Sequence, residues 1–172
     1  MRTGGTDDLE AFPPLEWASQ DPSNCSIGHT IDLVGDKWAL LILRELVFGL
    51  DRFDALQSHL AISRRTLTER LDALVSRGLV EREPIKVAGQ RSRHRYMLTP
   101  AGLELIPLIV ALREWGDRHR PDASPPPVAL LHRGCGGSLG IHFRCEHGHD
   151  IVSGQDVRLA RGPGAVPLVA PG

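Results

Sequence analysis

Long apolar runs are missing from this chain of 172 residues. No segment approaches the roughly 20 consecutive apolar residues that a membrane-spanning helix needs. The first residues, Met1–Asp8, contain no apolar stretch of the signal-peptide type. We therefore expect a cytoplasmic protein that does not span a membrane.

Cysteine and lysine are also scarce. The three cysteines are an odd number and do not form a disulfide framework. In a reducing compartment such cysteines are free thiols, metal ligands or redox sensors. Neither a nucleophile elbow nor a phosphate-binding glycine loop before a helix is present in the sequence. These absences argue against an enzyme.

Positive charge is concentrated in one segment, residues 63–95. The whole chain has a formal net charge of −1. Residues 63–95 nevertheless contain nine arginine and lysine residues and only four acidic residues, a net charge of +5. A local excess of this size in a nearly neutral chain predicts a polyanionic partner, and nucleic acid is the obvious one.

The basic segment begins with a predicted helix over Ser63–Arg77. Its apolar residues recur at i, i+4 and i+7, the spacing of one buried face: Leu67, Leu71 and Leu74. Ser63 stands at the N-cap position. Arg64 and Arg65 stand in the first turn, where the helix dipole is already positive. Two cations there indicate an approaching anion such as phosphate.

A predicted hairpin follows this helix. Leu79–Glu83 and Arg93–Thr99 have the composition of strands, and the loop between them turns at Gly89. A further helix, Arg52–Leu60, precedes the basic segment. Two short helices followed by a basic hairpin have the layout of a winged helix-turn-helix. The predicted fold class is therefore mostly α, with a small β component.

The earlier helices of the domain are predicted from apolar spacing and caps. Cys25–Val34 is expected to be a short amphipathic helix. Its apolar residues, at i, i+4 and i+7, are Ile27, Ile31 and Val34. A helix over residues 38–48 is apolar nearly all round, which predicts the central core helix, with Asp36 as its N-cap. Asp51 is the expected N-cap of the next helix.

Pro100–His119 is predicted to be one long helix with a kink at Pro107, because proline removes a hydrogen bond and crowds the preceding turn. Its apolar residues lie on more than one face, and a small winged domain cannot bury all of them. We therefore expect a homodimer in which the helices Cys25–Val34 and Pro100–His119 form the interface.

Composition divides the chain into five parts. They are a flexible N-terminal arm over 1–23, the winged domain over 24–120, a Pro-rich linker over 121–127, a small Cys/His unit over 128–160 and a disordered tail over 161–172. The small unit is expected to be a short hairpin, similar to a zinc ribbon, with Cys and His residues at both ends.

Several spaced motifs lie between Cys25 and His119. They are Gly35-Asp36-Lys37-Trp38, Leu41–Leu46, Arg52–Leu56, Ile62-Ser63, Leu67–Leu71, Gly78-Leu79-Val80, Tyr96–Gly102 and Trp115-Gly116. Together they closely resemble the HxlR family of bacterial, MarR-like transcription regulators. The resemblance implies a dimeric winged helix-turn-helix that binds a palindromic operator. It also implies that a cysteine near the position of Cys25 can sense oxidants or electrophiles, as in several members. The family wing often has prolines before its arginine, where this chain has Gln90-Arg91-Ser92.

The candidate DNA contacts are divided between the predicted helix and wing. They are Ser63, Arg64, Arg65, Thr66, Thr68 and Glu69 on the helix, and Arg91, Arg93 and Arg95 on the hairpin. Arg65 lies opposite the leucine face, so we expect it to reach a base edge, with Glu69 orienting it or accepting from a cytosine amino group. Arg64, Thr66 and Thr68 are expected at phosphates. The wing arginines are expected along phosphates or in the minor groove. The alternative is an exposed ion pair and a solvated run of charges.

The cysteines suggest two further sites. Cys25 is predicted at a helix N-terminus, where the dipole favours the thiolate, and is a candidate redox sensor; an unused, partly buried thiol is the alternative. The zinc candidates are His132, Cys135, Cys145 and His147 or His149. Zinc binds Cys sulfur and His nitrogen tetrahedrally, and a metal would supply folding free energy to a small Gly-rich unit. A ribbon that has lost its metal, or a disulfide between the two C-terminal cysteines, remains an alternative.

These patterns together predict a homodimeric, sequence-specific transcriptional regulator whose partner is double-stranded DNA. Control by thiol oxidation or by a ligand is left open, and zinc is the one cofactor suggested. The rival interpretation is a metal-responsive or protein-interaction winged-helix module in which DNA binding is secondary.

Overall fold

The computed structural model describes residues 15–85, 93–120 and 125–169. The helices and strands follow in the order α1 (Ser26–Val34), α2 (Lys37–Val47), α3 (Phe53–Leu60), α4 (Arg64–Ser76), β1 (Val80–Ile85), β2 (Arg93–Leu98), α5 (Pro100–Leu103), α6 (Ile106–His119), β3 (Phe143–Arg144) and β4 (Asp150–Ile151). β1 pairs antiparallel with β2, and β3 with β4. Over the described ranges, no helix is long and apolar enough to cross a membrane.

The core of the winged-helix unit, residues 31–141, is built around α2. The side chains that are at most 2% exposed come from α2, α3, α4 and β1: Ala39, Ile42, Leu43, Leu56, Leu67, Leu71, Leu74 and Val80. The leucine face predicted for α4 and the central position predicted for α2 are both confirmed. α2 is not entirely apolar, however, because Glu45 is also only 1% exposed.

Of the three predicted N-cap residues, Asp36 of α2 and Ser63 of α4 are confirmed, and Asp51 of α3 is not. The Asp36 side chain accepts hydrogen bonds from the backbone N–H groups of Trp38 and Ala39, at 3.0 and 3.2 Å. Asp51 was the wrong cap for α3, since Arg52 occupies the N-cap position without a side-chain bond. The backbone carbonyl of Asp51 instead accepts from Tyr96 N at 2.8 Å, which ties the start of α3 to the wing.

One prediction about the outer helices is wrong. The C-terminal helix is not one kinked helix, because α5 ends at Leu103 and α6 begins at Ile106. Pro107 stands in the first turn of α6, where its missing N–H removes no helical bond. α1 forms as predicted, and Ile27 and Ile31 on its apolar face are 72% and 59% exposed in the single chain, so its place in a dimer interface stays a prediction.

A second compact unit combines residues 15–30 with 142–169. Asp21 N donates to Val166 O, and Leu168 N donates to Ser19 O, both at 2.8 Å. Composition predicted a flexible arm and a disordered tail, whereas the described parts of both are paired with each other. The small Cys/His unit is also divided differently, because the boundary between the compact units falls at His142.

Gly102 in α5 packs directly against the wing. A Cβ added there would lie 2.1 Å from the carbonyl oxygen of Leu79 and 3.2 Å from a methyl carbon of Leu98. We expect Gly102→Ala to lower the free energy of unfolding by about 1–3 kcal/mol, because α5 must move away from β1 and β2. Urea denaturation of the two proteins measures this difference.

The matched control is Gly116→Ala in α6. No neighbouring group lies within 4 Å of the Cβ that this change adds. Alanine is the better helix former, so Gly116→Ala should raise stability by about 0.5–1 kcal/mol. Equal stability of Gly102→Ala and the unchanged protein would show that α5 yields freely.

Candidate nucleic-acid interface

α3, α4 and the short turn between them form a helix-turn-helix. Ala61 has φ 49° and ψ 38°, a left-handed conformation that costs a non-glycine residue roughly 1–2 kcal/mol. Ile62 follows and is buried, at 5% exposure. Burial of the Ile62 side chain compensates for the unfavourable backbone conformation of Ala61, and the turn directs the start of α4 outward.

Ser63 and the threonines behind it hold the first turn of α4. Ser63 Oγ accepts from Thr66 N at 3.1 Å and lies 2.8 Å from Thr66 Oγ1. Thr68 Oγ1 donates to the carbonyl oxygen of Arg64 at 2.9 Å. All three hydroxyls therefore have partners within the helix, and their contacts with DNA stay predictions.

Arg65 is a highly exposed charged group in this turn, with 89% of its side chain accessible. Its Nε donates to Glu69 Oε1 at 2.8 Å. The hydrogen bond and the charge of Glu69 raise the pKa of Arg65 above its ordinary value. A guanidinium has five N–H donors, so this permanent cation keeps donors for an acceptor beyond the helix.

Arg64 makes a contact that sequence reasoning missed. Its Cζ lies 4.9 Å from the centroid of the Phe53 ring in α3. Such a cation–π contact is worth about 0.5–1 kcal/mol at an exposed site. Arg64 thus links the first turns of the two helices. No local spacing signals this contact, because the two residues belong to different helices.

The wing is attached to the start of α3. Arg52 and Arg95 form an isolated antiparallel bridge, beside the bond from Tyr96 N to Asp51 O. Arg95 also pairs with Glu83 across the hairpin, at 2.7 Å. Arg93 begins β2 opposite Ile85. Arg91 lies outside the described residues.

Several cations of the basic segment are occupied within the protein. Arg70 lies 2.9 Å from Asp36, Arg82 lies 3.5 Å from Asp72, and Arg77 donates to the carbonyl oxygen of Leu33 at 2.5 Å. The net charge counted from the sequence therefore overstates the charge available to a partner. Arg65 and Arg64 at the start of α4 supply the clearest exposed positive charge.

Cys25 stands immediately before α1. Its Sγ accepts from the backbone N–H of Gly28 at 3.5 Å, and its carbonyl oxygen accepts from His29 N at 2.9 Å. The sulfur thus occupies the position of an N-cap acceptor. Its side chain is partly exposed, and all three cysteines of the chain are free thiols.

The zinc candidates occur in two pairs. His132 Nδ1 lies 3.2 Å from Cys135 Sγ, within a turn closed by the bridge between Leu131 and Ser138. Cys145 Sγ lies 3.5 Å from His149 Nδ1, in the turn between β3 and β4. The pairs belong to different compact units, and His147 instead lies 3.8 Å from Glu146. The part of the chain that is described contains no group of three or more possible ligands. The four-ligand zinc site stays a prediction.

Comparisons with known proteins agree that this chain is similar to helix-turn-helix transcription regulators. The model of the HxlR-like helix-turn-helix family matches residues 33–124. An uncharacterised HTH-type transcriptional regulator of Mycobacterium tuberculosis (MT3179) is 41% identical over 139 residues, which are 81% of this chain and 87% of that protein. The crystal structure of PA1607, described as a transcription factor, is 33% identical with a TM-score of 0.69, covering 81% of this chain and 96% of that one. The redox regulator HypR in its reduced form is 29% identical with a TM-score of 0.51, covering 55% and 93%.

Proposed function

Because this chain belongs to the HxlR-like helix-turn-helix family of transcriptional regulators, we propose that it binds a palindromic DNA operator as a homodimer. The observation that carries the proposal is the first turn of α4, where Arg65 is 89% exposed beside the positive end of the helix dipole. This turn presents charge and donors where a phosphate or a guanine edge would lie.

α4 is the recognition helix of this proposal. Its leucine face is buried against α2, so the opposite face, with Arg65 and Glu69, enters the major groove. Arg65 donates to guanine O6 and N7, and Glu69 fixes the direction of the guanidinium. The wing, attached to α3, lies over the neighbouring phosphates with Arg93.

The homodimer is supported by an exposed apolar stripe on α6. Leu108, Leu112 and Trp115 recur at i, i+4 and i+7 and are 38%, 50% and 63% exposed. A stripe of this kind is typical of a helix that packs against a partner. A two-fold dimer presents two α4 helices related by the same symmetry, which is why the proposed operator is palindromic.

Thiol control extends the proposal to Cys25. Its sulfur is partly exposed and lies at the start of α1, so an oxidant can reach it. A structural neighbour of this chain is described as a redox regulator. In this proposal, oxidation of Cys25 alters the interface that contains α1 and thereby changes operator affinity.

Genomic footprinting with and without peroxide tests the proposed function. We expect a small set of protected palindromic sites, and peroxide should change their occupancy. Footprints that persist unchanged under peroxide would exclude control by thiol oxidation but would still support sequence-specific DNA binding. The absence of any discrete protected site would remove sequence-specific DNA binding itself.

A metal-responsive module is the second candidate function. The short distances within the pairs His132–Cys135 and Cys145–His149 favour it, since each pair combines a sulfur and a nitrogen ligand. Native mass spectrometry of the full chain counts bound zinc. A metal-free chain whose cysteines alkylate readily removes this candidate without affecting the first.

A further inference from the structure

A cavity of about 540 Å³ lies within the winged-helix unit, between α2, α3, α6 and the segment 126–130. Small-molecule sites typically have volumes of roughly 300–1,000 Å³. Much of its wall is apolar, with side chains that include Leu40, Leu41, Phe48, Ile109, Leu112 and Leu130. The segment 126–130 lies beyond residues 33–124, which match the family model, so one wall of the cavity is an addition to the shared domain.

Glu45 on the cavity wall is a buried charge that the proposed DNA contacts do not use. Its side chain is 1% exposed. One carboxylate oxygen accepts from Nε and Nη2 of Arg44, and the other lies 3.0 Å from Nδ1 of His59. The second oxygen has this contact with His59 but no hydrogen bond within the described residues, so Glu45 is a buried carboxylate that is only partly satisfied. Buried charged groups that line an apolar cavity are typical of binding sites.

Two arginines give the cavity its binding groups. Arg44 donates hydrogen bonds from Nε and one terminal nitrogen to Glu45, and Nε of Arg113 lies 3.2 Å from a carboxylate oxygen of Asp117. Each guanidinium has five N–H donors, so both keep donors for a further acceptor. Their side chains are only 37% and 26% exposed, and charge-assisted hydrogen bonds are stronger where water is partly excluded.

We propose that this cavity binds a small aromatic or alkyl carboxylic acid. The apolar body of the ligand packs against the leucine and phenylalanine side chains, and its carboxylate accepts from Arg44 and Arg113. Binding itself does not depend on the proposed function of the chain. The regulatory consequence does: Glu45 in α2 contacts His59 in α3, the first helix of the helix-turn-helix, so a carboxylate that competes for Arg44 disturbs the contact between these helices.

The test uses the full chain and two ligands of one shape, naphthalene-2-carboxylate and naphthalene-2-carboxamide. Titration calorimetry should give tighter binding of the carboxylate by about 10-fold or more, because only the carboxylate forms charge-assisted bonds with the arginines. Equal affinities, or no binding of the carboxylate at millimolar concentration, overturn the proposal.

Two variants locate the site. Arg113→Met keeps the length of the side chain and removes the guanidinium, so the preference for the carboxylate should shrink while the carboxamide binds as before. Val128→Trp places an indole in the wall formed by segment 126–130 and should weaken both ligands by about 10-fold or more. Unchanged affinities in both variants would place the ligands elsewhere and overturn the proposal.

Operator binding by the same proteins separates the two proposals. Without ligand, Val128→Trp should bind the operator as the unchanged protein does, because Val128 lies outside the proposed DNA interface and outside the helices of the proposed dimer. With saturating naphthalene-2-carboxylate, the unchanged protein should show an altered operator affinity. If the chain binds the carboxylate but no operator, the cavity proposal holds and the proposed function is wrong.

Discussion

Replacing Leu108 with glutamate should convert the proposed dimer to monomers and lower affinity for the proposed operator by about 100-fold or more. Leu108 is 38% exposed in the single chain and belongs to the apolar stripe of α6. In the proposed dimer each copy loses the burial of one leucine, worth about 1.5–3 kcal/mol, and gains an unpaired buried carboxylate. A two-fold interface contains the change twice.

The expected loss is in assembly and not in folding, because an exposed position tolerates glutamate in the isolated chain. Leu139→Glu is the matched control. It makes the same substitution at a leucine of similar exposure, 44%, outside the helices. Sedimentation should show monomers for Leu108→Glu and dimers for Leu139→Glu. Dimers in both variants would show that α6 does not form the interface.

The same stripe shows how far apolar spacing can be interpreted from sequence. Spacing predicted correctly that α4 has a buried leucine face and that the C-terminal helix has more apolar surface than one chain can cover. In α1 the same kind of spacing places Ile27 and Ile31 on an apolar face, and both are exposed in the single chain. Periodicity identifies an apolar face but does not say whether the same chain or another molecule covers it.

Contacts between distant residues account for most of what the sequence did not predict at the site. Arg77 reaches the carbonyl oxygen of Leu33, 44 positions earlier, and Arg70 pairs with Asp36. Both were counted as charge available to DNA. Counting charges along the sequence does not reveal such pairing between distant residues. The pair Arg65–Glu69, in contrast, could be expected from the sequence because its i,i+4 spacing is local.

The proposed ligand cavity had no sequence signal for a related reason. Arg44 and Glu45 interrupt an otherwise apolar stretch, and these two charged residues are the hint that the sequence offers. His59, the partner of Glu45, comes from α3, and the last wall comes from segment 126–130, which the composition marked as the boundary between a linker and a separate unit. A cavity formed by four separate segments of the chain can be recognised only once the fold is known.

Replacing Arg65 with alanine should remove sequence discrimination while leaving the fold intact. Arg65 is 89% exposed, and its one observed partner is Glu69. An exposed i,i+4 ion pair contributes about 0.3–0.5 kcal/mol, and alanine at this position relieves an unfavourable interaction with the helix dipole. We therefore expect the free energy of unfolding to change by less than about 0.5 kcal/mol.

DNA binding should respond quite differently from stability. A bidentate contact between arginine and guanine contributes about 1–3 kcal/mol of discrimination, so the ratio of operator to random-duplex affinity should fall by about 5- to 150-fold. Arg93→Ala is the control, because a phosphate contact carries no sequence information. It should weaken binding to both duplexes alike and lower the slope of log affinity against log salt by about 1.

Titrations of both duplexes over a range of salt concentrations distinguish the two roles. If Arg65→Ala loses operator and random-duplex affinity in equal proportion, and its salt slope falls as that of Arg93→Ala does, then Arg65 contacts phosphate and another residue reads the base. If neither variant changes binding, the first turn of α4 does not face DNA. The exposed cation at the positive end of this helix would then have no anionic partner to explain it.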